Sequence, residues 1–202
     1  MTSAASKDLL GGRLPLAEPS TLPNEQRELY DAVVKDLVPW GQKGGFKIST
    51  HDGLLIGPFN AFLLNPEITK PLLAFDGALK DHVSFSVRVR EVIILAVGGV
   101  WGSEYELYSH SIMARSAGIS SEAIEALAAG EMPTDLGEEE LLAARVAHEI
   151  SASHRISDAL YDEAKETFGA QGLYEIAALI GEFSATCAIL NIFEVPPPGP
   201  DA

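Results

Sequence analysis

Two residues in the middle of an otherwise apolar part of the chain have the types and spacing for proton transfer. In the run SEYELYSH, residues 103–110, Glu106 and His110 stand four positions apart. On a helix that spacing places the side chains one turn apart on the same face. An imidazole titrates near neutral pH, and a carboxylate on one ring nitrogen fixes the tautomer presented by the other. Such a pair suits general acid–base catalysis if it faces a pocket instead of bulk water.

Helical phase predicts the direction. Glu106, His110, Met113 and Ala117 follow i, i+4, i+7 and i+11, flanked by Tyr105, Ser109 and Ile112. The opposite side carries Glu104, Tyr108, Ser111 and Arg115, so the Glu-His stripe is expected to turn inward. Upstream, Glu91 shares a stripe with Val87, Ile94 and Gly98. One continuous helix would leave Glu91 and His110 about 28 Å apart at 1.5 Å per residue. The run GGVWG, residues 98–102, disfavours that helix with its three glycines. A helical hairpin turning near residue 100 would instead let Glu91 face His110. Two carboxylates and an imidazole would then meet in an apolar slot. Buried ionisable groups are costly unless paired, and they concentrate at functional sites. The spacing of Arg88 and Glu91 also fits a plain structural ion pair. His148 and Glu149 are adjacent and do not share a helix face, so they form no metal motif.

The elements that must position these residues are helical throughout, and all-α is the expected fold class. Residues 1–22, rich in small residues, Pro and Gly, form an N-terminal arm. One helical domain is expected over 23–195, followed by a Pro-rich tail over 196–202. A first helix runs from Pro23 to about Val38, stopped by Pro39 and Gly41. Residues 41–55 lack a helical period and are expected as loop with a possible short strand pair. Pro58 and Pro66 open two further helices, with Asn65 as cap of the second. Ser84 or Ser86 starts a core helix to about Val97, apolar on nearly all sides after Glu91. Beyond Gly118, helices are expected over about 120–129, 138–153, 158–168 (closed by Gly169) and 173–193.

Composition narrows the class. The chain has 202 residues, of which 47% are hydrophobic, with 14 basic and 29 acidic residues and a net charge of −15. The mean hydropathy is +0.12 and the pI about 4.6. So acidic a surface argues against nucleic-acid partners and against docking on an anionic membrane. The single cysteine, Cys187, rules out an internal disulfide, a CxxC pair and a thiolate zinc site. No signal-peptide core is found near the start, and Glu182 and Asn191 interrupt the late apolar run 176–193. A reducing, cytoplasmic setting is the expectation.

The run RVREVIILAVGGVWGSEYELYSHSIMARSAGIS, residues 88–120, resembles the carboxymuconolactone decarboxylase family, which is related to the alkylhydroperoxidase-D proteins. The segments at 13–31, 57–68 and 179–198 also look like the corresponding parts of longer members. The peroxidase branch carries a Glu, then a CxxC, then a His after three intervening residues. Counted back from His110, the cysteine positions hold Ser103 and Glu106, and the upstream Glu position holds Glu91. Disulfide-based peroxide reduction needs an attacking thiolate and a resolving partner, and this chain has neither arrangement. The resemblance implies an all-α bundle with a central hairpin, a homo-oligomer of the trimer or hexamer kind, and a site near the Glu and His positions.

The expected chemistry is acid–base catalysis on a small unsaturated carboxylic acid or lactone, decarboxylation foremost, with no metal or organic cofactor needed. His110 would deliver the proton, and Glu106 or Glu91 would accept from its other ring nitrogen. Arg88 or Arg90 would hold a substrate carboxylate, while Arg115 falls on the polar face. Tyr105 flanks the pair, and Phe59 and Asn60 are placed at the pocket wall by the resemblance. The same residues would also serve a proton-transfer isomerase or a lactone-opening enzyme. A non-catalytic ligand-binding or assembly protein is the remaining alternative.

Overall fold

The structure, a computed structural model, describes residues 10–199. Among the described residues eight α-helices follow one another: α1 (Asn24–Gly44), α2 (Pro58–Phe62), α3 (Pro66–His82), α4 (Val87–Trp101), α5 (Glu104–Ser116), α6 (Ser121–Ala128), α7 (Glu138–Ser153) and α8 (Asp158–Ile192). Among the described residues the isolated β pairing is one antiparallel bridge, Ser49 to Leu55. The all-α class expected from the sequence is what the chain adopts.

The chain divides into two compact units, Met1–Ala74 with Ala188–Ala202, and Phe75–Cys187. In the first, α1 passes through Pro39 instead of stopping there and ends at Gly45. A proline removes one backbone donor and crowds the carbonyl four residues back. Just beyond it, Trp40 sets its ring edge-on to Phe46 at 5.0 Å. The short strand pair expected after it is the minimal hairpin around Gly53, with Thr50 N donating to Leu54 O at 2.8 Å. The described part of the arm is pinned: Arg13 pairs with Glu194 and donates to Ile192 O at 3.1 Å.

The second unit holds α4 at its centre, packed against α5, α6 and α7. Ser86 caps it by accepting from Val89 N at 3.2 Å, and every residue from 91 to 98 is buried. The first two glycines of GGVWG act differently from the sequence expectation, while the third, Gly102, makes the turn. The helix continues through Gly98 and Gly99 to Trp101, and the chain reverses at Gly102 (φ 59°) and Ser103. Gly98 and Gly99 are there for close approach. A Cβ on Gly99 would lie 2.1 Å from the carbonyl oxygen of Leu127, and one on Gly98 would lie 3.0 Å from the Leu107 side chain. The turn therefore falls later than the glycine count implies.

Helix α8 contains one non-helical residue, Gly169 (φ 66°, ψ 179°), at the point where the sequence expects one helix to close and another to begin. An 18-residue window of α8 is apolar and long enough to cross a membrane by composition, and half of that window is buried inside the protein. Ile176, Leu179, Ile180, Phe183 and Cys187 from α8 join the core built on α4.

Two glycine substitutions separate these roles. Gly99→Ala drives a methyl into backbone and is expected to cost at least the 1–3 kcal/mol typical of overpacking. Gly77→Ala in α3 meets nothing within 4 Å and is expected to stabilise by about 0.5–1 kcal/mol. Thermal unfolding followed by circular dichroism checks both, and equal effects would show that Gly99 is not a close-approach position.

Candidate active site

α4 carries Glu91 into the core and α5 brings His110 to it. The imidazole Nδ1 lies 2.7 Å from Glu91 Oε2. Glu91 is 0% exposed, Glu106 3% and His110 8%. The second oxygen of Glu91 accepts from Arg90 Nη2 at 3.2 Å. On the other side of the ring, Nε2 is 3.2 Å from Glu106 Oε1. No hydrogen bond forms there, and Glu106 Oε1 is a buried oxygen without a hydrogen-bond partner. The Phe183 ring sits edge-on to the imidazole with centroids 5.1 Å apart.

The charges follow from this geometry. Burial disfavours ionised Glu91, but His110 and Arg90 outweigh it and hold the carboxyl below its ordinary value. Burial also disfavours the imidazolium, yet Glu91 and Glu106 outweigh it and raise His110. Burial pushes Glu106 up, with His110 opposing that shift and the Glu91 and Asp76 charges reinforcing it. An ionised Glu91 can only accept, so Nδ1–H donates to it. Nε2 is then the nitrogen left to exchange a proton.

The opening beside the ring is lined by Asp76, Leu79, Lys80, Arg90, Ile94, His110, Met113, Leu179 and Phe183. It has about 10 Å³ of room for a water-sized sphere, which is roughly one water. Lys80 Nζ bonds Asp76 Oδ2 at 2.6 Å beside it. A neutral-acid candidate lies further along α8: Glu182 is buried, and burial followed by the Asp76 and Glu106 charges pushes it up to about 8.

Glu91, Glu106, His110 and Arg90 are thus brought together. Arg88 does not join them. Its guanidinium faces α7 and the end of α5, bonding Glu140 (Nη2 to Oε2, 3.1 Å) and the carbonyls of Ala117 and Gly118. The anticipated Arg88–Glu91 pairing is therefore replaced by Arg88–Glu140 and Arg90–Glu91. Tyr105 is buried; burial pushes its phenol well up, and it does not line the opening. Phe59 and Asn60 belong to the other unit. There Asn60 accepts from Ala17 N at 2.9 Å and donates to Pro15 O at 3.2 Å, while Phe59 packs on Phe62. Both have structural partners within that unit.

Asp76, Lys80, Glu182 and Phe183 went unassigned as site residues on the sequence. Glu182 carried a signal, a lone acid in the apolar run 176–193. Asp76 and Lys80 carried a weaker one, an i, i+4 ion pair. Among the described residues no group of three or more His, Cys, Asp and Glu is arranged to hold a metal ion.

Ser103 and Glu106 occupy the turns where the peroxidase branch would carry cysteines. Ser103 is fully buried, its hydroxyl beside the Cys187 thiol without a well-formed hydrogen bond. Burial, with help from the Glu106 charge, pushes that thiol far up, so it is a core residue and not a nucleophile.

The fold is that of the alkylhydroperoxidase-D type. It is similar to the crystal structure of an alkylhydroperoxidase AhpD core, an uncharacterized peroxidase-related protein from Ralstonia eutropha, with TM-score 0.71 and 18% identity over 93% of each chain. An uncharacterized peroxidase-related protein from a Silicibacter species aligns with TM-score 0.71 and 19% identity, over 96% of this chain and 95% of that one. A protein of unknown function from Agrobacterium tumefaciens aligns over 69% of this chain and 97% of its own, with TM-score 0.63 and 18% identity. No curated protein matches the sequence. Residues 66–149 match the model of the carboxymuconolactone decarboxylase family. The resemblance drawn from the sequence is borne out over that segment, which runs from α3 into α7 and contains Glu91, Glu106 and His110.

A double-mutant cycle tests the central pair. Glu91→Gln and His110→Asn should each cost about 3–5 kcal/mol, the usual loss when one partner of a buried pair is removed. The double mutant should cost clearly less than the sum. His110 is raised, so its contribution is full below its unfolded value of about 6.5 and fades as pH rises through the folded one. Glu91 is lowered, so its contribution is full above its unfolded value and fades as pH falls through the folded one. The coupling should therefore peak between those limits and weaken toward alkaline pH. Denaturant unfolding measures it, and additive costs at pH 6 would deny the coupling.

Proposed function

We propose that this protein is a cofactor-independent acid–base enzyme that decarboxylates a small unsaturated carboxylic acid or lactone. The observation that carries the proposal is the buried imidazole, with Nδ1 committed to Glu91 at 2.7 Å and its ring lining a small opening beside Arg90 and Lys80. Loss of CO2 from a conjugated acid leaves an electron pair spread along a dienolate. A proton must then reach carbon while the developing oxyanion is stabilised. His110 supplies that proton from Nε2, and Glu91 steadies the ring through Nδ1. Arg90 and Lys80 offer positive charge for the substrate carboxylate, Arg90 with a planar guanidinium suited to bidentate pairing.

The opening has space for about one water, so a lactone enters only when side chains move. The Lys80–Asp76 pair is the nearest candidate, because both ends are partly exposed and exposed ion pairs are weak. Thiol-dependent peroxide reduction fits this chain poorly even though relatives in the fold are named peroxidase-related. Its lone thiol is buried in α8, and a serine and a glutamate stand at the cysteine positions. The expected trimer or hexamer in the cytoplasm belongs to the same proposal.

A mass-spectrometric product screen against carboxylated lactones and related unsaturated acids should reveal loss of CO2. His110→Asn should lower that turnover by roughly 10² or more with its helical circular dichroism intact. A folded His110→Asn variant with full activity would remove His110 from the reaction.

A further inference from the structure

Among the described residues, three side chains able to carry positive charge line the opening: Lys80, Arg90 and His110. A substrate carboxylate can be held there only by a cation that can change partners, and two of the three are committed. Arg90 Nη2 and His110 Nδ1 take the two oxygens of Glu91, whose side chain is 0% exposed. Withdrawing either would leave a buried carboxylate short of compensation, which is far more costly than parting a pair in water. Lys80 differs. Its Nζ donates to Asp76 Oδ2 at 2.6 Å, one turn back on α3, and the two side chains are 29% and 20% exposed. Water can take over the Asp76 carboxylate when it turns outward, so this pair can open where the Glu91 pairs cannot.

We propose that Asp76 is a positioning residue that makes the site selective for carboxylates: it keeps on Lys80 the place of the substrate carboxylate, and the substrate enters in exchange for it. The proposal rests on the opening beside His110 being where the substrate binds. The charges balance in the exchange. One carboxylate replaces another on the same ammonium, and Asp76 passes to solvent as an anion. A neutral ester or amide of the same shape has no such route. With the Lys80–Asp76 pair closed, it meets room for about one water. With the pair open, it leaves a partly buried ammonium facing an uncharged group. The rest of the lining, Leu79, Ile94, Met113, Leu179 and Phe183, is apolar and offers no second place for an acid group. Asp76 thus lowers affinity for every ligand by the fraction of time the pair is closed, and a carboxylate alone recovers a partner for Lys80.

Formate and its neutral amide, formamide, are the probes, added to the full-length protein at constant ionic strength. The nitrogen-15 shift of the His110 ring reads binding without turnover. Formate should move it saturably and formamide should not. Asp76→Asn should tighten formate about fivefold or more, the closed fraction expected of a partly exposed ion pair. In a Lys80→Met background the same Asp76→Asn change should alter formate affinity less than about twofold, because the two residues act as one unit. Loss of a nearby negative charge alone would tighten formate equally in both backgrounds, and that result would overturn the exchange. Saturable formamide binding to the native protein would overturn it too, as would a folded Asp76→Asn variant that formate does not saturate. If the variants fail to fold, the native protein still decides: the Asp76 carboxyl carbon-13 signal should shift with formate along the same curve as His110, and a stationary signal overturns the proposal. Failure of the exchange leaves decarboxylation by His110 standing, and an empty product screen leaves the exchange standing, since binding is read without turnover.

Discussion

A carboxylate buried to zero exposure cannot remain charged without cations beside it, and Glu91 is such a carboxylate. Everything around the site answers to that constraint. Arg90, its neighbour in α4, takes one oxygen, and the imidazole of His110 takes the other. For His110 to reach it, α5 must fold back closely on α4. The glycines at 98 and 99 permit close packing along α4, and the reversal at Gly102 returns the chain. The pair is coupled in both directions, since Glu91 raises His110 and His110 lowers Glu91.

Much of this was legible in the sequence because it rests on local spacing. The i, i+4 interval of Glu106 and His110 fixed their shared face, and the apolar stripe fixed its inward direction. The Ser86 and Ser120 caps, the Asn65 cap and the break at Gly169 also follow from local chemistry. Other features were not legible, because they depend on partners far along the chain. Arg88 has the spacing to meet Glu91, yet Glu140, 52 positions later, claims it. Pro39 has the chemistry of a helix stop, yet the helix runs on past it to Gly44. Asn60 is held by the backbone of residues 15 and 17, more than 40 positions earlier in the chain. Glycines 98 and 99 were read as a turn, whereas their task is to admit Leu107 and the Leu127 carbonyl.

The replacement of two thiols by Ser103 and Glu106 alters the chemistry available on the same scaffold. A cysteine pair would make the space beside His110 a redox centre. Here a carboxyl stands there instead, with its Oε1 3.2 Å from Nε2, and a second buried acid, Glu182, lies on α8. The sole thiol is displaced into the core of α8, where burial keeps it protonated. The alkylhydroperoxidase-D fold is retained, and the site built on it has a different set of functional groups.

The account depends on His110 being held as an imidazolium in the resting protein. Nitrogen-15 NMR of the His110 ring across pH measures this directly. Its midpoint should lie above the ordinary imidazole value of about 6.5, with both ring nitrogens protonated below it. A neutral single tautomer at pH 7, titrating at or below that value, would contradict it.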